Sequence, residues 1–590
     1  MTTRGKVLLF VFLLLIVVGI GLVILGFSLG GMGGGKVPTK TILEADFEQG
    51  VAEFIPADPL AQLLHENEPV VLDLVQALQR GAEDDRVVGL VAHIGASGMG
   101  MARVQELRSA VRAFGDAGKP TIAWSETFGE FSAANNAYYL ATGFDQIYLQ
   151  PSGDIGLTGL IAESPFLRGT LDKLGVQPRM DHRYEYKNAM NTFTEEQLTE
   201  PHREAMQALL DSWFDQMVEG IAEAREMSPE EVRQLVDRGP FLGQEAMTAG
   251  LVDGLAYRDE VYANMRQQLG DDAELLYLTA YLKRAGRPND DGEVVALIYG
   301  VGAVARGESQ LDPITGGMTM GSDAVSRAFR QAIDDEDVKA ILFRVDSPGG
   351  SYVASDTIWR ETVRAKQAGK PVIVSMGDLA GSGGYFVAMH ADKIVAQPGT
   401  ITGSIGVLGG KLITRDMWNK IGMTFDSVQT STNASMFSSQ QDYSESEYAR
   451  FQAWLDRVYE DFTGKVADGR GMPLESVQEV AKGRIWTGED ALQRGLVDDL
   501  GGFPEALALA REAAGLTADQ AVHLKRYPQP GSPFEQLFAD PPSSSEEKAA
   551  VTTAVRALET LQPLARAAQQ VGLLESPRSE LAMPLTPAFR

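Results

Sequence analysis

The chain has 590 residues, of which 44 % are hydrophobic, enough to bury two sizeable cores within the two to four domains that this length suggests. Its 52 basic and 80 acidic residues leave a net charge of −28, which argues against nucleic acid as a partner, because phosphate binding needs clustered Lys and Arg; the acidity reads as solubility. With no cysteine, disulfides, thiol nucleophiles and thiolate metal sites are excluded, and the absence suits an oxidising envelope compartment.

Val7 to Leu29 form an uncharged apolar run of 23 residues, enough to cross a bilayer. The run exceeds the roughly 7–15 apolar residues of a cleaved signal peptide and lacks a small-x-small cleavage site, so it reads as an anchor rather than a leader. Arg4 and Lys6 precede it and no charge follows until Lys36, which places the N-terminus in the cytoplasm and the bulk of the chain outside the membrane. Gly30 to Gly35 reads as a flexible tether. Short β-branched runs then alternate with amphipathic stretches. Val294 to Tyr299, Ala340 to Val345 and Val372 to Val374 are expected to be buried parallel strands, with Ala324 to Ile333 and Ser355 to Ala368 as crossover helices, which makes the class α/β. After Tyr527, prolines and Ser543-Ser544-Ser545 mark a linker, and Lys548 to Leu574 reads equally as a peripheral helix or a loosely ordered tail. The expected division is 1–30 stub and anchor, 31–40 glycine-rich linker, 41–285 first domain, 286–527 second domain and 528–590 linker and tail.

The two domains are copies. Asp84-Asp85-Arg86-Val87 corresponds to Asp335-Glu336-Asp337-Val338, and Gly118-Lys119-Pro120 to Gly369-Lys370-Pro371, both at an offset of 251. From Tyr138-Tyr139 against Tyr385-Phe386 to Gly156 against Gly403 the offset is 247, and Gly250-Leu251-Val252-Asp253 returns as Gly495-Leu496-Val497-Asp498. What differs between the copies is reactive chemistry. Ser382, in Gly381-Ser382-Gly383-Gly384-Tyr385, stands where the first copy has Asn135, whereas Lys187 stands where the second copy has Thr432. One Ser/Lys site is thus divided between two copies of one fold.

Glycines around Ser382 permit a tight turn, and the apolar helix expected from Tyr385 onward sets the hydroxyl at a helix N-terminus, where a developing oxyanion is stabilised. Asp346-Ser347-Pro348-Gly349-Gly350 follows a strand and offers successive backbone N–H groups as an oxyanion hole; the first copy has only Gly95-Ala96-Ser97-Gly98 there. None of the six histidines falls in a glycine-framed loop. The main rival, His390, lies eight residues along the expected helix from Ser382, roughly 12 Å away. A Ser/Lys pair remains, and Lys187 must then be buried and neutral to accept a proton, with Tyr186, Met190 and Phe193 as its expected apolar surroundings.

Over about residues 5 to 525 these features resemble the long, duplicated form of the signal peptide peptidase A (protease IV) family, membrane-bound serine proteases of bacteria. The resemblance rests on the Ser382 turn, on Tyr186-Lys187-Asn188-Ala189 and on Gly403-Ser404-Ile405-Gly406-Val407; Gly381 departs from the more usual alanine before the serine. It implies two tandem crotonase/ClpP-like domains, Ser382 as nucleophile, Lys187 as general base and acid, and an oxyanion hole from Gly349, Gly350 and Gly383. It further implies a homotetramer anchored in the bacterial cytoplasmic membrane, its catalytic body outside, that degrades hydrophobic peptides, chiefly cleaved signal peptides, with no metal or organic cofactor. Two alternatives stay open at this stage. One is a membrane-tethered scaffold or inactive peptidase that binds peptides or membrane-protein partners. The other is an acyl-CoA enzyme using the same oxyanion geometry, which would not need Lys187.

Overall fold

The computed structural model describes residues 35–48, 50–56, 68–95, 98–311, 317–528, 581–582 and 588–589. The anchor read at Val7–Leu29 and the segment Lys548–Leu574 lie outside the described residues, among which no helix is long and apolar enough to cross a membrane.

Each half is built on a sheet with the same strand order. In the first half the order is Glu274–Tyr277, Thr41–Asp46, Val87–His93, Thr121–Ser125, Gln146–Leu149 and Gly254–Leu255, all parallel. In the second it is Val522–Tyr527, Glu293–Val301, Val338–Ser347, Val372–Gly381, Lys393–Ala396 and Asp499–Leu500, again parallel. Beyond this core Ile401–Gly403 pairs with the outer part of Val372–Gly381, and Ile485–Thr487 joins it antiparallel. The central strands read as continuous apolar runs because helices cover both faces. On one face Val325, Phe329 and Ile358, from the helices Ser322–Asp334 and Tyr352–Gln367, pack on Ala296, Ile298, Ile341 and Phe343. On the other, Phe503, Ala506, Leu507 and Ala510 of the helix Phe503–Ala513 pack on Val295, Leu297, Ala340 and Leu342.

The repeated motifs are brackets that close the sheet in each copy. Tyr138 donates its hydroxyl to the Leu251 carbonyl at 2.7 Å, and Tyr385 to that of Leu496 at 2.9 Å. Asp253 accepts from Ile147 N at 2.7 Å, as Asp498 does from Ile394 N at 2.8 Å. Lys119 caps the carbonyls of Gly81 and Asp84, and Lys370 those of Ala332 and Asp335. The duplicated residues are therefore those that satisfy buried backbone groups, which explains their survival in a copy that lost its reactive side chain.

Two connections clamp the halves together. Gln177–His182 of the first pairs antiparallel with Leu408–Ile413 of the second. Beneath it, fully buried Arg344 donates to Glu53 and Glu106 of the first half at 2.7 Å each and to Ser375 Oγ at 2.8 Å. Arg103 of the first half contacts Asp346 at 3.3 Å and Asp378 at 3.1 Å, and its backbone N–H donates to Asp378 at 2.9 Å.

Candidate active site

Ser382 follows the strand Val372–Gly381 and caps the helix Gly383–Ala388. Its backbone is held at φ 54° and ψ −114°, a conformation that costs a non-glycine residue about 1–3 kcal/mol. Asn135, its counterpart, has no positive φ and turns its side chain inward, accepting from Thr158 N and Gly159 N and donating to the Gly159 carbonyl. Backbone strain is thus present only where the hydroxyl is. Gly381, in place of alanine, lies in extended strand paired with Gly403 and removes no reactive group.

The turn is held by close packing. A side chain on Gly383 would meet Ser355 Oγ at 2.7 Å and Gly350 N at 2.9 Å, so the start of the serine helix lies directly against the Gly349–Gly350 strand. Of the three glycines expected to donate, Gly349 directs its N–H to Ser347 Oγ at 3.2 Å, while Ser347 donates to the Gly302 carbonyl at 2.7 Å. Gly349 therefore shapes the loop, and Gly350 and Gly383 are the two amides that the packing brings together.

Lys187 arrives from the loop after Gln177–His182, carried across by the antiparallel ribbon between the halves. Its Nζ lies 2.7 Å from Ser382 Oγ, 2.9 Å from the Ser404 carbonyl and 2.9 Å from Ser404 Oγ, and both Lys187 and Ser382 are fully buried. None of these partners is a carboxylate. Burial therefore acts unopposed and holds the amine well below its ordinary value of 10.5, which favours the neutral, proton-accepting form. The surroundings differ from those expected: Tyr186, Met190 and Phe193 are only partly buried, and Tyr186 turns its hydroxyl to Glu204. The wall is instead backbone of the second half. Gly406 and Gly483 lie so close that a Cβ would stand 3.3 Å from Lys187 Cδ and 2.5 Å from Lys187 Cβ respectively. The serine helix is also shorter than expected. It ends at Ala388, so His390 lies past it, packed edge-on to Trp359 with ring centroids 6.1 Å apart.

Ser404 is the residue that sequence reasoning quoted without giving it a role. At the offset of 247 its counterpart is Leu157, a hydroxyl-to-apolar exchange in the copy that also lost the serine. That was a usable signal. No signal marked Gly483, which reaches Lys187 through non-local packing.

Asp346 joins the site to the contact between the halves. It accepts from Leu379 N at 3.0 Å, three residues before Ser382, and begins the loop that ends at Gly350. Burial raises its pKa to about 7 against the opposing pull of Arg103. Among the described residues one group has metal-ligand spacing, Asp46, Glu48 and His93; it belongs to the first half and contains no residue of this site.

A strained, buried serine beside a buried lysine, on a duplicated parallel α/β fold, defines a hydrolytic enzyme of the serine class. The profile of peptidase family S49 matches residues 113–271 and again 364–517, so the chain belongs to that family and is a serine peptidase. It is 30 % identical to the chloroplastic serine protease SPPA of Arabidopsis thaliana over 468 residues, 78 % of this chain and 68 % of that one. It is 33 % identical to protease 4 of Salmonella typhi over 458 residues, 76 % and 72 % of the two chains. Among solved structures, a point mutant of ClpP1 from Listeria monocytogenes aligns with a TM-score of 0.22 and 15 % identity, covering 36 % of this chain and 94 % of that one.

Proposed function

We propose that this peptidase is a membrane-anchored endopeptidase that degrades hydrophobic peptides, chiefly signal peptides left after preprotein cleavage, with Ser382 as nucleophile and Lys187 as its base. The supporting observation is the 2.7 Å contact between Lys187 Nζ and Ser382 Oγ, with both groups buried and no carboxylate on the lysine. Lys187 accepts the hydroxyl proton as Ser382 attacks the peptide carbonyl, and the N–H groups of Gly350 and Gly383 hold the oxyanion. The ammonium then protonates the leaving amine, and the same lysine activates the water that resolves the acyl-enzyme. Ser404 fixes the lysine: with two N–H bonds directed to its carbonyl and hydroxyl, the remaining lone pair faces Ser382.

The finer assignments belong to the same reading. Residues 41–285 and 286–527 are two crotonase/ClpP-like domains, anchored by Val7–Leu29 with the body outside the cytoplasmic membrane. Assembly into a homotetramer is supported by the duplication. Within the chain Gln177–His182 pairs with Leu408–Ile413, whereas the second-half counterpart of the first strand, residues 424–429, is exposed, with Phe425 at 47 % and Val428 fully open. The first-half counterpart of the other strand contains Ala162–Glu163. Repeating the internal contact between chains pairs these two segments head to tail, an arrangement that closes into a ring.

The test is hydrolysis of a hydrophobic signal-sequence peptide by the parent, Ser382→Ala and Lys187→Ala. Loss of cleavage in both variants, with folding and assembly intact, is the expected result. Cleavage surviving either change overturns the dyad, and an inactive parent moves the chain to a peptide-binding scaffold.

A further inference from the structure

Residues 581–589 read Leu-Ala-Met-Pro-Leu-Thr-Pro-Ala-Phe, an uncharged run between Glu580 and Arg590. Its two described pieces pair with opposite halves of the molecule. Leu581–Ala582 lies antiparallel to the Gly349–Gly350 strand, with Ala582 opposite Gly349 and Leu581 opposite Gly350. Ala588–Phe589 lies antiparallel to Ala162–Glu163, with Ala588 opposite Glu163 and Phe589 opposite Ala162. The first edge belongs to the proposed oxyanion loop, where a peptide substrate has to lie. The second is the edge that the internal duplication assigns to a neighbouring copy.

We infer that Leu581–Phe589 is an internal strap that occupies the peptide-accepting edge and the assembly edge of its own chain at once, and is released from both when residues 424–429 of a second copy take the Ala162–Glu163 edge. This rests on the peptidase reading above. An unpaired strand edge offers a row of N–H and C=O groups that accepts any extended segment lacking charge, largely independent of its sequence, so the strap and a hydrophobic substrate are alike to it. The ladder has room for one strand. By the internal register, Leu408 to Gly410 opposite Met180 to His182 maps onto Ala162 opposite Val428 and Glu163 opposite Ser427 of the next copy, the two residues that Phe589 and Ala588 now face. Being part of the same chain, the strap competes at an effective concentration that free peptide has to exceed. The uncharged composition of the strap also matches the substrate class proposed for the site.

The absence of cysteine gives a clean test in the full chain. Residues directly opposite in an antiparallel pair have Cα atoms about 4.5–5.5 Å apart, within the span of a disulfide, so Glu163→Cys with Ala588→Cys creates a single intrachain bridge. After oxidation the bridge is expected by mass and non-reducing gel, with single chains in sedimentation and at least a tenfold fall in hydrolysis of a quenched-fluorescence signal-sequence peptide. Reductant restores assembly and rate. Failure of the bridge to form while each single thiol remains reactive overturns the strap, as does a bridge that leaves rate and assembly unchanged. If the reduced protein does not hydrolyse the peptide, the peptidase reading fails, and bridging and sedimentation still decide the strap. Independently, Leu581→Pro with Ala582→Pro removes both N–H groups of the first anchor and is expected to lower KM several-fold at constant kcat; an unchanged KM counts against competition with substrate.

Discussion

Removing the Ser404 hydroxyl probes the site without touching either member of the dyad. In Ser404→Ala, Lys187 Nζ keeps its contacts to Ser382 Oγ and the Ser404 carbonyl but loses the 2.9 Å contact to Ser404 Oγ. The surroundings are dry, since Lys187 and Ser404 are fully buried, so no solvent replaces the partner. A buried N–H left without an acceptor costs about 1–3 kcal/mol. Part of that cost also falls on the resting enzyme, which leaves roughly 1–2 kcal/mol on the proton-transfer step, a fall in kcat of about 5- to 30-fold. KM stays constant because the lost contact is to the base and not to substrate, and Ser404→Thr, which keeps the hydroxyl, recovers most of the rate. Steady-state kinetics on a signal-sequence peptide reads all three variants. A Ser404→Ala enzyme within twofold of the parent, or one whose KM rises at constant kcat, refutes the claim that Ser404 orients the lysine.

Other outcomes follow from the same geometry. Because burial lowers the Lys187 pKa in the folded state, the unfolded chain binds the extra proton, and stability rises with pH between the folded and unfolded values. Lys187→Met is therefore expected to melt at higher temperature than the parent at neutral pH, with the advantage shrinking toward pH 10; a constant difference across that range contradicts a neutral lysine. Asn135→Ser in the Ser382→Ala background restores no hydrolysis, because the second half has Thr432 where the first has Lys187; any recovered cleavage shows that a lysine is dispensable. Arg344→Met leaves Glu53 and Glu106 buried without their cation and costs about 3–5 kcal/mol, read as a large fall in Tm in calorimetry. A fall of only a degree or two shows that the two halves are not joined through this cluster.

The duplication made most of this molecule legible in its sequence. Tyr138 and Tyr385, Asp253 and Asp498, and Lys119 and Lys370 recur because each closes the same backbone bracket, so their spacing reported the shared strand order. Divergence was equally informative. Ser382 against Asn135 and Lys187 against Thr432 singled out the two groups that the structure brings to 2.7 Å. What stayed hidden depends on contacts between distant segments. The glycine wall around Lys187 comes from Gly406 and Gly483, and no local pattern marks either as its neighbour. Arg344 reads as an interruption in a strand until Glu53 and Glu106 arrive from the other half. The pairing of residues 581–582 with Gly349–Gly350 was invisible for the same reason, since two residues carry no periodicity.

The central claim is that a neutral Lys187 takes the proton of Ser382, and the pH dependence of Ser382 acylation tests it most directly. The rate of labelling by a fluorophosphonate, measured from acid to alkaline pH in the parent and in Lys187→Ala, is expected to rise through one ionisation well below 10.5 in the parent. In the variant that limb vanishes and labelling is slow at every pH. A parent profile with no such limb, or a limb that persists without Lys187, contradicts the account.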